Sequence, residues 1–391
     1  MVHHDTLRAA DLWPRVQNVH AARAEFGDLV DRLAAYLDQN DPRADACVEA
    51  MDASGEPGRW MRALDAHALG DADALAGAPD AVVAFARDAL SVPPWVDHDR
   101  MDRGGELVLR TGVLSGLTLG LKSLVTGYAA PAGNKPLAFS GRLERQAPRR
   151  LNETTRFVHA VCSPGGMRPG GEGLRITMKV RLVHARVRHG IWRSGRWDTR
   201  AWGEPINQHD MLATILLFST VLIDGLKILG VHIPEDEADD YVHLWRYAGH
   251  VIGVRGELLP ATAAEARRLQ RVIEATQGPP DDDSRALVAA LLGAPSRDDD
   301  AAAQLGPQSD VAAALLRVLM GDEAADALGA PRTKMIHAAR AARGLVGALD
   351  TVGRLAPRAD SLSLAVGRAY WDKVVELGRG DGPALYDGAG G

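Results

Sequence analysis

Apolar residues in this chain recur at three- and four-residue intervals, as in Phe26, Leu29, Val30, Leu33, Ala34 and Leu37, and no run alternates convincingly at the two-residue interval of a strand. That spacing puts them on one stripe of a helix, and such a stripe is buried only against other helices. The pattern therefore predicts an all-α protein without internal repeats. It predicts helix through much of residues 1–90 and again over Gly141–Cys162, Glu235–Ile252, Val311–Met320 and Met335–Val346.

Prolines mark the first boundary. Val92-Pro93-Pro94-Trp95-Val96-Asp97 cannot continue a helix, because proline lacks the amide proton and clashes with the preceding turn. Three regions follow from this and a later acidic stretch: 1–90 as helices packing on a core, 91–275 as the functional core, and 276–391 as an acidic connector with further helices. The longest apolar tract, Met211 to Ile223, is followed at once by Asp224 and Lys227. It falls short of the roughly 20 residues a spanning helix needs, so it is expected as a buried core helix, capped by Asn207, with no stable membrane insertion.

Composition narrows the function classes. With 46% hydrophobic and 25% charged residues, and 45 basic against 51 acidic side chains, the chain reads as globular with a net charge of −6. That balance favours neither nucleic acid nor an anionic membrane as partner. Cys47 and Cys162 stand far apart and outside any Cys-x-x-Cys or Cys-x-x-Cys-His spacing, which excludes a cysteine zinc site and covalent haem and suits a reducing compartment. The first residues, Met1-Val2-His3-His4-Asp5-Thr6-Leu7-Arg8, lack a signal-peptide layout, so cytoplasmic residence is the expectation.

Several motifs are absent. There is no Gly-x-Ser-x-Gly elbow, no His-Glu-x-x-His and no phosphate-binding Gly-x-x-x-x-Gly-Lys. The glycines at 112, 116, 120 and 127 are expected to let helices approach closely. A glycine-rich break over residues 164–173 separates two helices that carry unusual polar sets. On the first, Arg150 and Thr154 are i and i+4 neighbours with Glu153 beside them, a set that also fits an ordinary surface ion pair.

On the second, Arg181 and Arg188 fall within about 60° of His184 around the helix. A histidine among valines is most often a hydrogen-bonded core residue. Here it could instead be a metal ligand beside two fixed cations, a face that would suit a dianionic, iron-bearing ligand. His159 is turned about 140° from Thr154, and His189, His209, His243 and His250 have no spacing that makes a metal set.

The order Arg150-x-x-x-Thr154, a glycine loop, then Arg181-x-x-His184-Ala185-x-x-Arg188 resembles the latex clearing protein family and its relatives, the haem-dependent oxygenases of the mycophenolic acid pathway type. Val92–Asp97, Gly141-Arg142-Leu143, Gly203–Asn207, Trp245-Arg246 with Gly253, and the Leu316–Gly329 stretch extend the likeness over roughly residues 90–335. The resemblance implies a globin-like helical core with added N- and C-terminal helices. It also implies non-covalent haem b with His184 as its iron ligand, Arg181 and Arg188 as propionate-holding candidates, and Arg150, Glu153 and Thr154 as the catalytic, distal-side set.

Dioxygen and an apolar, isoprenoid-like small molecule would be the reactants, attacked at a carbon–carbon double bond. A haem peroxidase or hydroxylase, and a non-catalytic haem or lipid carrier, are the alternatives. One position departs from the family pattern. Glu153 stands where rubber-cleaving relatives commonly carry lysine, and an ionised carboxylate cannot donate as an ammonium does.

Overall fold

The computed structural model describes residues 9–139, 143–293, 307–355 and 357–377, and among them every regular element is a helix. The chain is all-α. Five helices form the N-terminal part: α1 (Val19–Phe26), α2 (Leu29–Ala34), α3 (Pro42–Ala53), α4 (Pro57–Ala68) and α5 (Asp80–Ala89). The apolar stripe from Phe26 to Leu37 is shared by two of them. Gly27, at φ 65°, ends α1, a conformation that only glycine adopts without strain.

After the Pro93-Pro94 turn come α6 (His98–Thr111), α7 (Val113–Thr118), a π-helical turn (Leu119–Ser123), α8 (Leu124–Tyr128) and α9 (Lys135–Phe139). Asp97 caps α6, its carboxylate accepting from the amides of Asp99 and Arg100 at 3.0 Å each. The expectation that glycines here serve packing holds for three of four. A side chain at Gly112, Gly116 or Gly127 would meet Gly367 Cα at 3.2 Å, Tyr370 Oη at 2.6 Å and Leu217 Cδ1 at 2.8 Å respectively, whereas Gly120 faces open space.

The centre is built from α10 (Leu143–Cys162), α11 (Glu172–Arg193), the short α12 (Thr199–Trp202), α13 (Gln208–Phe218), α14 (Thr220–Ile228) and α15 (Glu235–Val251). The long apolar tract is two helices rather than one, broken at Ser219 (φ −104°, ψ −89°), and its Leu212, Leu216, Leu222, Ile223 and Leu226 are buried. Trp245 on α15 is fully buried, stacked on Phe218 at 4.8 Å and edge-on to Phe157 of α10 at 5.9 Å.

Beyond lie α16 (Ala263–Thr276), α17 (Asp282–Leu291), α18 (Pro307–Met320), α19 (Asp322–Ala327), α20 (Ile336–Leu355) and α21 (Pro357–Leu377). One continuous apolar core runs from Ala10 through α3, α6, α10, α11, α13 and α15 to Trp371 of α21. A smaller cluster joins α8, α17, α18 and α19.

Candidate active site

Helices α10 and α11 fold back on each other across the glycine loop 163–171, and glycine is required where they touch. A Cβ at Gly173 would lie 2.6 Å from Ala160 O and 2.8 Å from Val161 Cα. The face of α11 that starts there continues through Thr177 and Val180 to His184, all within about 60° of one another at 100° per residue. By that spacing His184 lies on the side of α11 on which Gly173 touches α10.

Counted from the Ala160–Gly173 contact, the backbone of Arg150 lies about 15 Å up α10 and His184 about 16 Å up α11. Glu153 and Thr154 sit lower by a turn or so on the same side of α10, and both are half-buried. The side chain of Arg150 lies outside the described residues. By helix spacing, Arg150, Glu153 and Thr154 thus share one side of α10.

His184 is half-buried, with its Nδ1 sealed from solvent and without a hydrogen-bond partner. Burial, reinforced by the Arg188 charge and opposed by Asp41, pushes its pKa down to about 4. The imidazole is neutral near pH 7, and one of its nitrogens keeps a free lone pair. A sealed nitrogen without a partner costs free energy, and in this His184 differs from a core histidine whose ring nitrogens are both hydrogen-bonded.

Arg181 and Arg188, the propionate-holding candidates, are engaged by protein carboxylates in this structure. A turn of 40–60° from His184 is enough to aim both at the N-terminal helices instead of at α10. Arg181 donates to Asp41 from Nε (2.6 Å) and Nη2 (3.0 Å) and pairs with Asp88 of α5 at 2.8 Å. Arg188 donates from Nε to both carboxylate oxygens of Asp45 (2.8 and 3.1 Å) and from Nη1 to Ile206 O at 3.2 Å. Its Nη2 also lies 2.8 Å from Asp45, but off line for a hydrogen bond. These forks are filled by protein carboxylates, and both guanidinium groups are buried.

Asp41 and Asp45 are the residues the sequence reading missed. Asp41 caps α3, accepting from Ala44 N at 3.2 Å, and at the same time holds Arg181. Gly253, at φ 95°, lies against that pair: a Cβ there would come within 2.6 Å of Arg181 Nε. The segment 1–90, which carried no chemical signature of its own, thus supplies the counter-charges that fix α11 on both sides of His184. Acidic residues at the start of a helix read as ordinary dipole partners, so nothing in the sequence pointed 140 residues ahead.

Among the described residues no three His, Cys, Asp or Glu side chains come together as a metal cluster. A metal held by His184 would have to bring most of its donors with it, as iron does within a porphyrin, and the neutral, unpartnered imidazole fits that demand.

An all-helical framework with this pair of helices defines a family. Residues 103–351 match the family described as ER-bound oxygenase mpaB/B'/rubber oxygenase, catalytic domain, and the chain belongs to it. A rubber oxygenase from Streptomyces sp. (strain K30) is 27% identical over 302 residues, covering 76% of this chain and 72% of that protein. The solved structure of latex clearing protein LCP in the closed state shares the fold with a TM-score of 0.66 at 23% identity, covering 87% of this chain and 90% of that one.

Proposed function

We propose that this protein is a haem b-dependent oxygenase that uses dioxygen on a carbon–carbon double bond of an apolar, isoprenoid-like small molecule, with His184 as the iron ligand. The single observation that carries the reading is the half-buried, neutral His184 with a sealed, unpartnered ring nitrogen. Membership of an oxygenase family and a relative named for rubber support the reaction class and the apolar substrate. When bound, haem supplies the redox chemistry with dioxygen that no side chain can provide.

The chain's own residues do the rest. Asp41 and Asp45 hold Arg181 and Arg188, so the backbone on either side of His184 is held in place. Thr154 brings a hydroxyl that can both donate and accept, and Glu153 brings an acceptor that becomes a donor only when protonated. Val180, packed in part against the apolar core, makes this face less polar.

The test is oxygen uptake by haem-loaded protein supplied with squalene, with carbonyl products followed by mass spectrometry. Uptake matched to product, and slowed at least about ten-fold in Glu153→Gln or Thr154→Val at unchanged haem content, is the expected result. Turnover only with peroxide, or haem binding with no turnover on any alkene, would overturn it.

A further inference from the structure

A second site stands apart from α10 and α11. Between α2, α16 and the turn Gly256–Leu258 lies a groove of about 220 Å³. Its floor is apolar: Leu33, Leu258 and Leu259 are buried, and Leu29 and Leu269 are half-buried. Two arginines stand on its walls, Arg32 from α2 and Arg268 from α16, both exposed.

Neither arginine has an acceptor among the described residues, although carboxylates are close by. Those carboxylates are already engaged. Glu257 accepts from Arg255 Nε at 2.8 Å and from the Tyr36 hydroxyl at 3.2 Å, and Glu265 accepts from the amide of Ala261 at 2.7 Å. Neighbouring arginines are paired as well, Arg23 with Asp31 at 2.7 Å and Arg267 with Glu235 at 2.8 Å. With Glu257 offset by Arg255, and Glu265 holding an amide but keeping its charge, the groove carries two unpaired guanidinium groups and one net positive charge above a leucine floor.

We propose that this groove binds a small free amphipathic anion, with a carboxylate or phosphate head between Arg32 and Arg268 and a short apolar tail on Leu29, Leu33 and Leu269. Two guanidinium forks match such a head better than any single ammonium, and the leucines remove the tail from water. A cavity of 150 Å³ takes up benzene, so this groove holds roughly nine heavy atoms in proportion, the size of a medium-chain acid. The inference does not rest on haem or on His184.

Octanoate is the probe, titrated calorimetrically into the full chain at low ionic strength, with n-octanol and inorganic phosphate as tail-only and head-only controls. Octanoate is expected to bind at least about ten-fold more tightly than either control, and to lose about ten-fold or more in affinity in the double variant Arg32→Gln/Arg268→Gln. Both side chains are exposed, so the variant's unfolding midpoint should match that of the wild type. Leu269→Ser should weaken octanoate and leave phosphate unchanged. Equal octanoate affinity in the double variant, or n-octanol binding as tightly as octanoate, would overturn the proposal. So would phosphatidylglycerol vesicles retaining the protein while octanoate fails to bind, since the cations would then serve a lipid surface.

Discussion

Replacing Asp45 by alanine probes the frame around His184 most severely. Arg188 is 0% exposed and the Asp45 side chain 11%, so removing the carboxylate leaves a guanidinium in the core with the Ile206 carbonyl as its hydrogen-bond acceptor and the more distant Glu204 as its counter-charge. Arginine cannot escape by losing its proton, and breaking a buried pair from one side costs about 3–5 kcal/mol, a large part of a typical total of about 5–15. The opposite deletion is milder. Burial already holds the Asp45 carboxyl above the ordinary aspartate range in spite of Arg188, so in Arg188→Met it can take up a proton.

The expected order is therefore Asp45→Ala worst, Arg188→Met less costly by about 1–2 kcal/mol, and Asp45→Leu/Arg188→Met within about 1 kcal/mol of wild type or more stable. Urea unfolding with an unchanged slope reads all three. A cost under about 1 kcal/mol for Asp45→Ala, the value of an exposed pair, would refute the reasoning. So would a double variant as unstable as the worst single one.

The neighbouring pair gives a second prediction: Gly253→Ala places a Cβ 2.6 Å from Arg181 Nε at a positive φ, so a loss of at least about 2 kcal/mol is expected, and a neutral result would show the Asp41–Arg181 pair to be loosely held. Stability of the haem-free chain should also depend on pH through His184 and His243, both pushed down to about 4, His243 by burial first and then by Arg100 and Arg246. Since the unfolded chain takes up these protons near pH 6.5 and the folded one only near 4, stability is full above about pH 6.5. It falls by up to about 3 kcal/mol per histidine as pH drops through that window. His243 Nε2 accepts the Asp97 amide at 3.0 Å and cannot do so when protonated, so protection of that amide from hydrogen exchange should fade over the same range; constant protection down to pH 4 would contradict this.

Helices with strong periodicity and clear caps were legible in the sequence. Asn207 accepts the Asp210 amide at 2.9 Å as its position suggests, and α15 ends within a residue of the expected boundary. The break at Ser219 was not legible, because apolar residues continue on both sides and only tertiary packing decides where the chain turns. Similarly, the angular positions of Arg181 and Arg188 around α11 could be worked out from spacing, but not what they face. Each differs from His184 by about half a quadrant, and that small rotation separates an unpartnered imidazole from guanidinium groups paired with Asp41 and Asp45. The glycine loop was visible as a break, and its packing reason, the contact of Gly173 with Ala160, required the fold.

The account stands or falls on His184, and the absorption spectrum of the protein purified from haem-supplied cells, beside that of His184→Ala, tests it most directly. A Soret band present in the wild type and lost in the variant, with the variant's helical circular dichroism intact, is the predicted result. A wild-type chain that takes up no haem, or a variant whose band is unchanged in position and intensity, would contradict it.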